Sequence, residues 1–312
     1  MTSSSAPGGE TKLALAAGVS CYLSWGLIPI LFQHVGRLGA GPWEILAHRI
    51  VWSLPTAVIL VLLGGQGRAA REVLRQPRTL GWLTLSALTI AANWIVFIWA
   101  VNSGRVLETS LGYYILPLLN MAAGALLFRE RIDRIGRIAI GFAAAGVAIQ
   151  TLALGHLPLV SLALALSFGT YGIIRKRVAA EAQTGFLFES AFLLLPSAAF
   201  VGWMGVHGQS QFGHSLPLSF WLLACGPLTA IPLFWFAWAA RRLPLSAMGF
   251  LQFIAPTLTF GLGVAQGEPF TALRAASFVL IWAGVAVFAY GVWRASRKAL
   301  PATADALKAA AE

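Results

Sequence analysis

The sequence predicts an all-α integral membrane protein of ten transmembrane helices, built as two five-helix repeats of inverted topology. Three observations carry that prediction. The 312-residue chain is 58% hydrophobic and only 11% charged, with a mean hydropathy of +0.76, whereas an average soluble domain carries roughly 25% charged residues. Apolar runs of about 17 to 25 residues, the length that crosses a bilayer as a helix, recur along the whole chain. A shift of 139 residues lays Phe97-Ile98-Trp99-Ala100-Val101 on Phe236-Ala237-Trp238-Ala239-Ala240, and Pro117 on Pro256.

The runs lie near 13–33, 44–63, 79–101, 106–128, 135–153, 157–174, 185–203, 217–240, 244–264 and 271–293. The first lacks a basic segment before it and a small-x-small cleavage site after it, so it reads as a retained span rather than a signal peptide. The second opens on Glu44, His48 and Arg49; the third holds Asn93 and ends at Asn102. The fourth carries a polar stripe around Pro117. The fifth is rich in small residues, Gly136, Gly141, Ala145 and Gly146, which read as close helix packing, with a homodimer face as the alternative. Ser167-Phe168-Gly169 in the sixth resembles Ser24-Trp25-Gly26 in the first, and Pro196 in the seventh resembles Pro55 in the second. Trp238 closes the eighth, and Gln252, Pro256 and Thr259 mark the ninth.

This divides the chain into a disordered cytoplasmic tail (1–11), a first five-helix repeat (12–153), a second (154–293) and a C-terminal cytoplasmic tail (294–312). An odd number of spans per repeat places the second copy upside down relative to the first, the architecture of many secondary transporters.

The net charge of +11 would suggest nucleic acid in a soluble protein. Its placement argues otherwise. When loops alternate between the two sides, 18 of the 22 Lys and Arg residues fall on one side; Arg37, Arg105 and Arg274 fall on the other, and Arg49 lies within a span. Basic loops stay in the cytoplasm, so both termini are expected there, in a bacterial inner membrane with no nucleic-acid partner. Cys21 and Cys225 lie inside separate apolar runs and act as small apolar residues.

The chain has no H-E-x-x-H, no G-x-S-x-G elbow, no phosphate loop and no Cys/His pair at metal spacing. These are the motifs that enzyme, ATPase or metal chemistry would need. The expectation is therefore a non-enzyme without cofactor or metal. What remains is a sparse set of polar groups inside apolar runs, each costly in hydrocarbon and expected to face the bundle interior, a partner or a water-filled path.

Glu44 and His48 stand at i,i+4 on one helical face. They read as a proton-sensitive or solute-contacting pair, or as an interfacial anchor with Arg49 snorkelling to the surface. Glu189 takes the place of His48 in the second copy at an offset of 141; it reads as a coupling carboxylate, or as a charge neutralised by Arg175, Lys176 and Arg177. Glu108 reads as a helix-start carboxylate beside Arg105 or as a further proton carrier.

Thr109, Gly112, Tyr113, Pro117, Asn120 and Gly124 line one face of the fourth span. At the 139 offset Tyr113 maps to Gln252, Asn120 to Thr259 and Pro117 to Pro256. Prolines inside a span free backbone carbonyls and provide a bend. The expectation is a solute cavity lined by Tyr113, Asn120, Gln252, Thr259, Asn93, Trp99 and Trp238, with hinges at Pro117 and Pro256; kinked, packed helices are the alternative.

Several stretches resemble the RarD branch of the EamA-type drug/metabolite transporters. They are Glu44-Ile-Leu-Ala-His48-Arg49-Ile-Val-Trp52-Ser53, Asn93-Trp-Ile-Val-Phe-Ile-Trp99-Ala-Val-Asn102, Leu111-Gly112-Tyr113-Tyr-Ile-Leu-Pro117-Leu-Leu-Asn120, Glu181-Ala-Gln-Thr184-Gly185 and Gly249-Phe-Leu-Gln252-Phe-Ile-Ala-Pro256-Thr257. The resemblance implies two EamA units around a central cavity, with spans five and ten outside it, and export of small metabolites, amino acids or drugs. The RarD name is itself associated with chloramphenicol sensitivity. A small-molecule solute and the lipid bilayer are the partners expected. A non-transporting sensor or assembly component of the same fold is the competing class.

Overall fold

The computed structural model describes residues 7–128, 134–240, 242–243, 248 and 251–309. Side chains at 7–10, 117–118, 120–128, 154, 176, 237, 240, 292–293 and from 295 onward lie outside that description. Among the described residues the secondary structure is entirely helical. The helices are α1 (Pro7–Arg37), α2 (Pro42–Leu63), α3 (Gly67–Leu74), α4 (Pro77–Asn102), α5 (Val106–Phe128), α6 (Arg134–Leu154), α7 (Leu159–Arg177), α8 (Ala182–Val206), α9 (Leu216–Ala240), α10 (Ile254–Ala265) and α11 (Ala272–Ala309). By length and composition seven of them can cross a membrane: α1, α2, α4, α6, α8, α9 and α11. The chain is a multi-pass helical membrane protein.

Pro42 and Pro77 open α2 and α4, where a missing N–H costs nothing and the fixed φ suits the first turn. At one end of the bundle Gly104 (φ 68°) turns the chain from α4 into α5. There Gly267 (φ 76°) also turns the chain after α10, and Glu268 reaches back to the first turn of α5.

The structure adds to the sequence reading at three places. Residues 7–10 begin α1, and the last helix, α11, runs on through the expected C-terminal tail to Ala309. The short α3 stands where a plain loop was expected: it is too short and polar to span, and it buries Val73 while the Arg68–Glu72 ion pair, 3.3 Å, stays exposed. In the ninth apolar segment, a turn at Gln252–Phe253 lies between the helical Leu251 and α10, and Pro256 sits in the first turn of α10. A proline there removes no helical hydrogen bond.

Helix pairs that the sequence shift makes equivalent pack side by side and antiparallel. In α2 and α8, Glu44 at the start of one meets Ser210 beyond the end of the other, while Gln66 beyond α2 meets Thr184 at the start of α8. In α5 and α10, Leu107 touches Gly263, and the Ser110 hydroxyl donates to the Pro256 carbonyl at 2.8 Å. Further along, Tyr114 and Thr257 share a hydroxyl bond of 2.6 Å. In α6 and α11, Gly146 faces Ser277 and Ile281, and Gly284 faces Ala139 and Phe142. Lipid tails are as apolar as the helices, so association relies on close packing through small residues and on interhelical hydrogen bonds. A Cβ on Gly146 would come within 2.6 Å of Ile281, and one on Gly284 within 2.9 Å of the Ala139 carbonyl.

The remaining contacts exchange in the same way. Helix α1 packs on α9 and α10 while α7 packs on α4 and α5; α2 packs on α9 while α8 packs on α4. Helices α6 and α11 lie against each other.

Candidate functional site

One polar assembly inside the bundle is built on Asn93, fully buried on α4. Its amide nitrogen donates to the Leu164 carbonyl and to Ser167 Oγ on α7, both at 3.0 Å, and its Oδ1 accepts from the Tyr113 hydroxyl of α5 at 3.0 Å. Both N–H groups and the carbonyl are thereby engaged. Phe97 and Phe168 hold the Tyr113 ring edge-on at 5.8 and 5.9 Å. Two of the expected cavity residues are thus joined directly.

Arg49 is 7% exposed and does not snorkel. Its guanidinium lies over the Trp94 ring at 4.1 Å and the Phe32 ring at 5.3 Å. Among the described residues no carboxylate lies within ion-pair distance of it, no hydrogen bond reaches it, and Nε is fully enclosed. The charge therefore rests on aromatic faces, an interaction worth about 2 kcal/mol or more when desolvated.

Glu189, buried on α8, is partnered on both oxygens. Ser86 Oγ donates to Oε1 at 2.5 Å, Arg175 Nε lies 3.7 Å from the same oxygen, and the Tyr171 hydroxyl donates to Oε2 at 3.3 Å. These partners come from α4 and α7, so the carboxylate ties three helices together.

Glu44 and His48 share a face but do not bond each other. Glu44 Oε1 accepts from Ser210 Oγ and from the amides of Gln211 and Phe212, pinning the α8–α9 connection to the first turn of α2. His48 stacks on Phe212 at 4.8 Å, and its Nδ1 accepts from Trp52 Nε1 at 3.2 Å. Glu108 stands 3.9 Å from Arg105, and its backbone carbonyl accepts from the Ser161 hydroxyl.

Other expected cavity residues have structural work. Thr259 donates to the Ala255 carbonyl at 3.0 Å and to the Gly26 carbonyl at 3.4 Å, joining α10 to α1. Trp99 is exposed and carries the Arg105 guanidinium at 5.0 Å; Trp238 carries that of Arg242 at 4.4 Å. A tryptophan–arginine pair at a helix end fits an interfacial belt better than a cavity wall. Gln252 is half-buried in the turn before α10. The side chains of Pro117 and Asn120 lie outside the described residues.

Three groups that the sequence did not single out organise the ends. Gln66 Oε1 accepts from Thr184 N and Oγ1 at 3.2 and 2.8 Å, and its Nε2 donates to Glu181 at 2.5 Å. At the opposite end Glu268 accepts the backbone N–H groups of Val106 and Leu107, capping α5. Burial pushes the Glu268 carboxyl above its ordinary value, against the pull of those two amides and Arg274, while Glu108 pushes the same way as burial. At that end Gln33 and Gln266 exchange amide hydrogen bonds of 3.0 and 2.7 Å beside a cavity of about 690 Å3 that also borders Gly36, Arg37 and Asn102. Among the described residues no three His, Cys, Asp or Glu side chains converge on a metal position.

A bundle of long apolar helices that buries charged and amide side chains between its spans defines a polytopic membrane protein with a polar interior. Comparison with known proteins narrows the class. The EamA-like transporter family matches residues 12–152. An uncharacterized transporter of Vibrio cholerae is 39% identical over 89% of this chain and 92% of its own length. Protein RarD of Streptomyces exfoliatus is 40% identical over 93% of this chain and 92% of its own, and protein RarD of Escherichia coli K12 is 38% identical over 89% and 94%. One crystal structure, 20% identical in sequence, superposes with a TM-score of 0.58 over 90% of this chain and 98% of that one, a likeness of fold alone. The chain belongs to the EamA-like transporter family, in its RarD-like branch.

Proposed function

We propose that this protein is a secondary carrier that moves a small organic solute across the membrane by alternating access. In this reading two inverted five-helix repeats, 12–153 and 154–293, rock against each other. One observation carries it: the pairs α2/α8, α5/α10 and α6/α11, equivalent by the sequence shift, lie antiparallel against each other. Inverted repeats related by an axis in the membrane plane produce that arrangement, and such carriers hold their solute at the repeat interface.

The interface residues are Arg49, Asn93 and Tyr113 toward the middle, with Glu189 nearer the end that carries Gln66. The turn before α10 supplies a bend next to Pro256; Pro117 is the matching hinge on α5. Direction is outward and the solute a small metabolite, amino acid or drug; one relative, from Pseudomonas aeruginosa, is named chloramphenicol-sensitive protein RarD. The excess of basic residues on one side supports an inner-membrane protein with both termini in the cytoplasm.

The test is counterflow in proteoliposomes loaded with a metabolite extract, followed by mass spectrometry of the solutes exchanged. Exchange that needs the protein supports the carrier. A reconstituted, folded protein that exchanges nothing in either orientation removes it in favour of a non-transporting membrane component.

A further inference from the structure

Building on the carrier reading, we infer that Arg49 is the anion-binding group of the solute path and that the solute it takes bears a carboxylate. The side chain is more than nine-tenths buried, yet among the described residues it has neither a carboxylate nor a hydrogen-bond acceptor. Ionisable side chains within membrane helices almost always pair with one another or with backbone carbonyls, and Arg49 does not.

Its surroundings say what is missing. The Trp94 and Phe32 rings lie against the guanidinium at 4.1 and 5.3 Å. Aromatic rings accept none of the guanidinium's N–H donors, which form the fork that matches a carboxylate bidentately. Tyr113 and Cys225 lie within electrostatic range, and neither supplies a negative charge in its neutral form. One guanidinium balances one negative charge. A carboxylate monoanion leaves the site neutral, whereas a phosphate dianion would leave a charge uncompensated in apolar surroundings. An apolar or aromatic body on the solute would lie among Phe32, Trp94 and Phe97.

The full chain, reconstituted in nanodiscs of phosphatidylcholine so that no anionic headgroup competes, is titrated with benzoate, with its neutral isostere benzamide and with inorganic phosphate. Tryptophan fluorescence and thermal unfolding report binding. The expectation is a benzoate affinity at least about tenfold above that of benzamide, about 1.4 kcal/mol, and no saturable phosphate binding. Arg49→Gln brings the ratio to about one, and Arg49→Lys keeps part of it, because a point charge remains while the fork is lost. The ratio is a readout that a merely weakened fold would not move. If Arg49→Gln does not fold, Arg49→Lys and Trp94→Leu decide, each expected to lower the ratio.

An unchanged ratio in these variants, equal affinity for benzoate and benzamide in the wild type, or phosphate binding tighter than benzoate overturns the assignment. The two readings fail separately. Benzoate held through Arg49 but never exchanged in counterflow sinks the carrier and spares the site; counterflow of other solutes without benzoate preference sinks the site and spares the carrier.

Discussion

The Tyr113 hydroxyl donates to Asn93 Oδ1 at 3.0 Å, and Asn93 in turn holds the Leu164 carbonyl and the Ser167 hydroxyl. One side chain therefore links α4, α5 and α7. Interhelical hydrogen bonds of this kind average about 0.6 kcal/mol and reach roughly 1.7. Tyr113→Phe should cost on the order of 0.6 kcal/mol, and Asn93→Ala about 1 to 2, since it loses three bonds at once. Once Asn93 is gone, Tyr113→Phe should cost almost nothing more, so the double-mutant cycle should return most of the single-mutant cost as coupling. Unfolding in graded detergent mixtures measures it; full additivity would mean that the bond contributes nothing.

The α6–α11 contact makes a sharper claim. Gly146 and Gly284 stand 138 residues apart in sequence and each faces the other's helix, Gly146 toward Ser277 and Ile281, Gly284 toward Ala139 and Phe142. Gly146→Val or Gly284→Val should each destabilise by about 1 to 3 kcal/mol through overpacking. Gly141→Ala, where an added Cβ would meet nothing within 4 Å, should be neutral or slightly stabilising through helix propensity. Thermal unfolding of the three variants compares them directly, and equal Tm values would remove the contact.

The reach of the sequence follows from these residues. Hydrophobic runs announce the helices because hydrocarbon admits few alternatives to the helix. The turn at Gln252–Phe253, just before Pro256, leaves no mark in hydropathy. The sequence leaves Arg49 open between a solute contact and a snorkelling anchor, because its depth of about 10 Å below the α2 start, at 1.5 Å per residue, is within reach of a snorkelling arginine. Only the positions of Phe32 and Trp94, distant in sequence, show it held inside. Trp99 and Trp238 matched across the repeat for a different reason than expected, since each pairs with an arginine of the following loop.

Glu268 lies outside the spans, and its carboxyl is raised above the ordinary value by burial. A group that binds its proton more tightly when folded stabilises fully below its unfolded pKa, about 4.3 for Glu, and that contribution is lost as pH rises through the folded value. Wild-type Tm should therefore fall relative to Glu268→Gln as pH climbs from about 4.3 upward, the glutamine lacking any titration. Parallel Tm curves for the two proteins over that range would contradict the assignment.

A proton-coupled carrier built this way would use Glu189 rather than His48. Neutralising Glu189 would release Arg175 Nε at 3.7 Å and weaken the bonds from Ser86 and Tyr171, loosening α8 from α4 and α7 together. His48 is bonded to Trp52 on its own helix and stacked on Phe212, so its protonation would break the Trp52 bond and bear on a loop contact, but on no second span. With a solute identified by counterflow, Glu189→Gln should abolish accumulation under an imposed pH gradient while retaining passive exchange, because a glutamine can take part in alternation but cannot carry a proton. His48→Ala should keep accumulation within about twofold, as expected of a residue outside the proton path. The reverse pattern would transfer the coupling role to His48, and normal accumulation in both variants would remove the two residues from the proton path.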